Sequence, residues 1–203
     1  MKKTKTTIAA ILIFTVFNLQ AQQTLPKGAI GITYSGLGDN NAFYWESLLG
    51  AGSYTGKGYY SIGVNYIRPV LSFLDIETGI EYSRCKYRFS NASLGPNAPE
   101  PFMLTNKVIT IPATMRLNFL RYFFFNAGLL LDINLENSND MDDSQTGAGA
   151  MIGLGAKYYF KQIPIGIFLN PYYKHHAILP FSFEKYHQRT DEAGFRFGIV
   201  YRL

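Results

Sequence analysis

The chain has 203 residues, of which 16% are charged, 16% aromatic and 47% hydrophobic, with 19 glycines and 9 prolines. Soluble domains carry charge on about one residue in four, so charge is scarce here and aromatic content high, which excludes intrinsic disorder. The glycines lack a period of three and no heptad runs through the chain, which excludes collagen and coiled coil; the length allows one domain or a small pair.

The first segment is an export address. Lys2, Lys3 and Lys5 precede the apolar run Ile8 to Phe17, and Asn18-Leu19-Gln20-Ala21 leads into Gln22-Gln23. A positive start, a short apolar stretch and a small residue before the cut define a secretory signal peptide. About ten apolar residues cannot cross a hydrocarbon core of roughly 30 Å as a helix. The expected division is a signal peptide over 1–21 and one domain over 22–203. Cleavage would remove three of the 19 basic residues and none of the 14 acidic ones, so the net charge falls from +5 to +2. Nothing basic enough for nucleic acid remains. Cys85 is the single cysteine and lies far from the address, so neither lipoprotein processing nor an intrachain disulfide is expected.

The remainder reads with period two. Ile30, Ile32 and Tyr34 oppose Ala29, Gly31, Thr33 and Ser35; Tyr60, Ile62, Val64 and Tyr66 oppose Ser61, Gly63 and Asn65. Leu74, Ile76, Thr78, Ile80 and Tyr82 oppose Asp75, Glu77, Gly79, Glu81 and Ser83. Ile109, Ile111, Ala113, Met115 and Leu117 oppose Thr110, Pro112, Thr114, Arg116 and Asn118. The stretch from Tyr122 to Leu135 is interrupted by Asn126, Asp132 and Asn134, which rules out a membrane helix but suits a strand with Phe123, Phe125, Leu129, Leu131 and Ile133 on one side. Ala150, Ile152, Leu154, Ala156 and Tyr158 oppose Gly149, Gly153, Gly155 and Lys157; Ile165, Ile167 and Leu169 oppose Gly166, Phe168 and Asn170. Phe195, Phe197, Ile199, Tyr201 and Leu203 oppose Gly194, Arg196, Gly198, Val200 and Arg202. The count is eight, an even number, at lengths that suit tilted membrane strands.

Connections alternate in length. Short turns are expected near Pro69–Ser72, Phe119–Arg121 and Lys161–Pro164, and long polar loops near Leu37–Gly56, Ser90–Asn106, Asn137–Thr146 and His175–Thr190. Short periplasmic turns and long outer loops are the asymmetry of an outer-membrane barrel. A soluble sandwich would alternate in the same way. Three features favour the membrane. Charges of both signs share the polar face (Glu77, Glu81 and Asp132 with Arg116, Lys157 and Arg196) and can pair across the bore of an eight-stranded barrel, which side chains just fill. Tyr66, Phe119, Tyr122, Phe160 and Tyr201 crowd one set of strand ends, and Tyr34, Tyr60, Tyr82, Tyr173 and Phe195 the other, like interfacial girdles. Outward charges such as Arg68, Arg84 and Lys86 appear only beyond the apolar band. The expected fold is an all-β, eight-stranded antiparallel up-and-down transmembrane β-barrel with both mature termini in the periplasm.

Ile111-Pro112-Ala113-Thr114-Met115-Arg116-Leu117-Asn118-Phe119 resembles the strand of the small PorT-like outer-membrane β-barrel family in which an Ile-Pro pair precedes a basic residue between apolar ones. Phe125-Asn126-Ala127-Gly128 and Gly153-Leu154-Gly155-Ala156-Lys157-Tyr158 are similar to the family's next two strands. The end, Arg196 to Leu203, resembles the C-terminal signal read by the barrel-assembly machinery, with Gly198, Tyr201 and Leu203 as its marks; a terminal Phe is commoner there than Leu. The resemblance implies an outer-membrane barrel and brings no catalytic residue and no cofactor with it.

Other constellations are weak. His175, His176 and His187, with Glu184, are read as solvated loop residues because no tight metal-ligand spacing appears. Asn139-Asp140-Met141-Asp142-Asp143 lacks the glycine and the later glutamate of a calcium loop. Gly36-Leu37-Gly38 lacks the third glycine and the helix of a phosphate loop, and Trp45 reads as a surface anchor or a recognition aromatic. No serine motif accompanies the histidines, so no catalysis is expected. The inward charges are read as a salt-bridged plug, in which losing Arg116 or Asp132 alone should hurt more than losing both. The expected role is that of a monomeric, non-enzymatic envelope component (structural, adhesive or accessory to secretion). Its expected partners are outer-membrane lipid, lipopolysaccharide and the barrel-assembly machinery. The alternatives are a soluble periplasmic barrel or sandwich holding a lipid-like ligand, and a narrow channel.

Overall fold

A pleated strand sends successive side chains to opposite faces, and the alternation above resolves into eight strands. They are β1 (Ala29–Phe43), β2 (Ser53–Leu71), β3 (Leu74–Ser90), β4 (Phe102–Phe119), β5 (Phe123–Asn134), β6 (Gly147–Tyr159), β7 (Ile165–Pro180) and β8 (Arg189–Arg202). The structure, a computed structural model, describes residues 27–44, 52–90, 100–135, 144–182 and 187–203. The expected signal peptide, Trp45, the acidic run 139–143 and Glu184 lie outside the described residues.

Each strand pairs antiparallel with its neighbour in sequence, and β8 returns to β1 from Ala29↔Arg202 to Phe43↔Arg189. Closure leaves no unpaired edge. The turns at 72–73, 120–122 and 160–164 share one end of the barrel with Ala29 and Leu203, whose N–H donates to the Gly28 carbonyl at 2.9 Å.

On all eight strands the side expected to be apolar faces out and the side expected to be polar or small faces in. Ile32, Leu129 and Ile199 are 67%, 66% and 63% exposed, whereas Glu77, Arg116 and Arg196 are fully buried. A water-soluble domain shows the reverse arrangement.

The strands run further than expected. β1 continues past Leu37, β2 begins before Gly56, β4 begins at Phe102, and β7 runs to Pro180. The expected loops at 37–56, 90–106 and 175–190 are therefore partly strand. Bulges hid the extensions of β1 and β2 and the end of β7, since an extra residue can reverse which side chains face inward, whereas β4 pairs with β3 in one register back to Phe102. In β1 the pairing slips between Gly36 and Asp39, with Leu37 at φ 55°, and the inward set changes from Thr33 and Ser35 to Asn40 and Ala42. In β2 it slips between Gly56 and Tyr59. The Asn40 side chain ties the two irregular segments together, accepting from Gly58 N–H and donating to the Lys86 carbonyl, both at 3.0 Å. In β7, opposite Ala148 to Ala150, Ala177 adopts φ 49° and both His176 and Ala177 are buried.

The bore is filled. At the turn end Ala29, Ile67, Phe124, Phe168 and Val200 form an apolar plug with Tyr159 against it. Gly155 and Gly198 provide the room for it: a Cβ on either would lie 2.3 Å from Phe124 and 2.1 Å from Phe168, so both rings need a bare backbone opposite. Gly198, one of the expected assembly marks, thus has a packing role, while Tyr201 and Leu203 are exposed at the barrel's end.

The β4–β5 turn is strained. Leu120 and Arg121 both have positive φ, 45° and 61°, a region that costs a side-chain-bearing residue roughly 1–2 kcal/mol. Leu120→Asn combined with Arg121→Gly should stabilise the barrel by about 1 kcal/mol, after the flexibility glycine adds to the unfolded chain is deducted. A rise in the urea unfolding midpoint of the detergent-folded protein checks this; an unchanged or lower midpoint contradicts it.

Candidate functional site

The polar faces of the strands converge on the bore, where a charge cannot be hydrated and must find a partner. Glu77 on β3 is the hub. Arg116 on the adjacent β4 donates to its Oε2 at 2.6 Å, Asn65 on β2 donates to Oε1 at 2.7 Å, and Arg196 on β8 reaches Oε1 from across the bore. Arg196 also faces Glu81, with Nη1 3.5 Å from Oε1. Lys174 on β7 closes the chain by donating to Glu81 Oε2 at 2.5 Å. Two carboxylates of β3 thus hold cations from β4, β7 and β8, so the network spans the barrel as a strut.

The network stands on the apolar plug. The Arg116 guanidinium lies 4.1 Å from the Phe124 ring centroid and 4.8 Å from that of Phe168, and Arg196 lies 5.4 Å from the latter. Ring faces attract such cations, the more so where water is excluded.

Towards the loop end lies a second polar group. His176 sits between two carboxylates, with Nδ1 3.0 Å from Asp132 and Nε2 3.5 Å from Glu192. Thr110 donates to Asp132 at 2.7 Å, and the Cys85 thiol donates to Glu192 at 3.1 Å. Tyr172 donates to the Tyr59 hydroxyl at 3.0 Å and carries Lys174 5.1 Å above its ring. At the turn end Lys157 is bonded to Asn118 at 2.5 Å and lies 3.7 Å from Asp75.

Of the charges expected to line the bore, Glu77, Glu81, Arg116 and Arg196 meet in the strut. Asp132 joins the histidine group and Lys157 the turn-end group. The expected Arg116–Asp132 compensation is corrected: Glu77 is Arg116's partner, because Asp75↔Arg116 and Glu77↔Thr114 pairing on adjacent strands brings the two side chains together. The expectation of solvated loop histidines is corrected as well. His176 and His187 are buried and His175 is half-buried, with its Nδ1 against the Asp191 carboxylate. Lys174 and Glu192 were missed and His176 was placed in a loop, although a signal existed for all three. Continuing the even-numbered inward set from Asn170 forward and from Gly194 back reaches all three. Among the described residues no group of three or more His, Cys, Asp or Glu is arranged to hold a metal ion.

A closed barrel with an aliphatic exterior and a paired ionic interior defines the class of protein here. No family model matches the chain, and no curated protein does. Among solved structures it is similar to the outer membrane protein OprG from Pseudomonas aeruginosa, at 10% identity over 88% of this chain and 97% of that one, with a TM-score of 0.45. It is similar also to the translocator domain of the autotransporter NalP from Neisseria meningitidis (10% identity, 100% and 97% coverage, TM-score 0.38) and to the N-terminal β-barrel domain of Pseudomonas aeruginosa OprF (13%, 85% and 98%, 0.38).

Proposed function

We propose that the chain is an integral outer-membrane β-barrel, monomeric and non-enzymatic, that serves the envelope as a rigid carrier of its outer loops and its turn-side rim. The observation that carries this is the outward aliphatic band, Ile32, Ile80, Leu129, Ile152 and Ile199 among it, around a core of paired charges. Water would penalise that band, and hydrocarbon would not. Assembly by the barrel-assembly machinery through the Arg196–Leu203 end, contact with lipopolysaccharide, and membership of the PorT-like small barrels belong to the same proposal. The family assignment rests on the sequence motifs alone.

The Phe124–Phe168 plug beneath the ionic strut argues against solute passage, since an eight-stranded bore leaves little room once side chains occupy it. It also argues against a lipid ligand inside, because the bore walls carry charge rather than an apolar cavity. The test has two arms. After a sodium carbonate wash the protein should stay with the envelope; release would contradict the proposal. In planar bilayers it should give no conductance above background, and steady unitary currents would require a channel.

A further inference from the structure

We infer that the barrel carries a seat for one anionic phospholipid on its outer wall, at the turn end of the β6–β7–β8–β1 side. The inference rests on the outer-membrane reading and names a ligand for it. Two surface features meet there. The first is an apolar trough of about 1140 Å³ whose lining includes Ile32, Ile167, Leu169, Phe197, Ile199 and Tyr201. From Phe197 to Tyr201 it follows β8 for about 13 Å, which a strand tilt of about 40° reduces to about 10 Å of depth, within the roughly 15 Å that one leaflet contributes to a hydrocarbon core. The second is a cleft of about 540 Å³ at the turns, lined by Arg121, Lys157, Lys161 and Arg202 together with aromatic rings. Tyr122, Lys157 and Tyr158 line both, so the two are continuous.

The cleft is cationic and partly prearranged. Arg202 donates to the Phe160 and Ile163 carbonyls at 2.9 and 3.3 Å and lies 5.3 Å from the Tyr159 ring, which holds its guanidinium at the rim. Arg121 lies 5.5 Å from the Tyr122 ring. No carboxylate among the described residues lines the cleft itself, but Arg121, Lys157 and Arg202 also line an adjoining bore-side cavity of about 410 Å³ with Asp75, which sits 3.7 Å from Lys157, so the turn cations Arg121 and Lys161 carry the attraction at the outer wall. Cations gathered at one end of a greasy trough complement a phosphate joined to an acyl chain, and a zwitterionic headgroup would place its own ammonium against them. The occupant is therefore a phospholipid of net negative charge in the leaflet on the turn side.

Native mass spectrometry tests this on the protein purified from membranes in mild detergent, with phosphatidylglycerol, phosphatidylethanolamine and soluble glycerol 3-phosphate as probes. Phosphatidylglycerol should bind about tenfold more tightly than phosphatidylethanolamine, and glycerol 3-phosphate should not be retained. Arg121→Asn with Lys161→Gln, both on exposed turns and the first tolerant of positive φ, should bring the two lipids near parity. Ile199→Trp, which fills the trough, should weaken both. Equal binding of the two lipids by the unaltered protein, or a preference that survives Arg121→Asn with Lys161→Gln, would overturn the inference. Retention of glycerol 3-phosphate would reduce it to an anion cleft without a lipid seat and overturn it too. The same sample is run unheated and heated on a gel. A heat-modifiable, detergent-dependent protein without lipid preference sinks the seat alone, whereas a protein that stays dissolved without detergent sinks the outer-membrane reading along with it.

Discussion

Glu77→Gln should destabilise the barrel by about 3–5 kcal/mol, because it leaves the buried Arg116 guanidinium without a carboxylate and Arg196 with only its longer contact to Glu81. Arg116 and Arg196 both direct donors at this carboxylate, and each is fully buried. Arg196 keeps Glu81 as a longer partner, while Arg116 keeps only the faces of Phe124 and Phe168. Arg116→Met alone should cost a similar amount by leaving Glu77 with one fewer cation. The double substitution should cost clearly less than the sum of the singles, with a coupling of order 1–3 kcal/mol. Reversible urea unfolding in detergent micelles or lipid vesicles measures all four proteins. Additive costs would mean that the strut is not a coupled unit.

Leu129→Arg separates a lipid-facing surface from a wetted one. The side chain is 66% exposed on β5, in the middle of the outward band. On a surface bathed in water such a change alters stability by no more than about 0.5 kcal/mol. At the midplane of a bilayer the same charge costs about 2–4 kcal/mol. The cost should fall towards zero for an arginine at the level of Arg68 or Lys86, where the native chain already carries outward charge. Folding of both variants into vesicles, compared by urea midpoint, gives the depth dependence directly. Equal and negligible costs at both positions would contradict the proposed surroundings.

Much of this architecture was legible because a period of two survives wherever the pleat is regular. The sides of all eight strands could be assigned from residues such as Ile76 against Glu77 or Phe197 against Arg196. Register and length were legible only as far as the bulges. Leu37, the Lys57–Gly58 pair and Ala177 each interrupt the alternation without changing composition, so strand read as loop beyond them. The ionic core was half legible for a different reason: the regular alternation runs on past the apolar outward residues that marked the strands. Glu77, Glu81, Arg116 and Arg196 fall within regular stretches. Lys174, His176 and Glu192 lie outside the stretches read as strand. The pairing of charges was not legible at all, since it depends on which strands face each other across the bore, and alternation along one strand carries no such information. Nor did sequence reveal the strained turn at Leu120 and Arg121, where neither residue is a usual turn former.

The most direct test is power-saturation electron paramagnetic resonance on spin labels placed singly at Leu129, Ile152 and Thr114 in vesicles, with Cys85 replaced by Ala. Labels at positions 129 and 152 should collide readily with dissolved oxygen and hardly with a water-soluble nickel chelate, and the label at 114, on the inner face, should be shielded from both. Immobile, oxygen-poor labels at 129 and 152 beside a chelate-accessible one at 114 would mean that the aliphatic side is the interior and that no lipid surrounds the barrel.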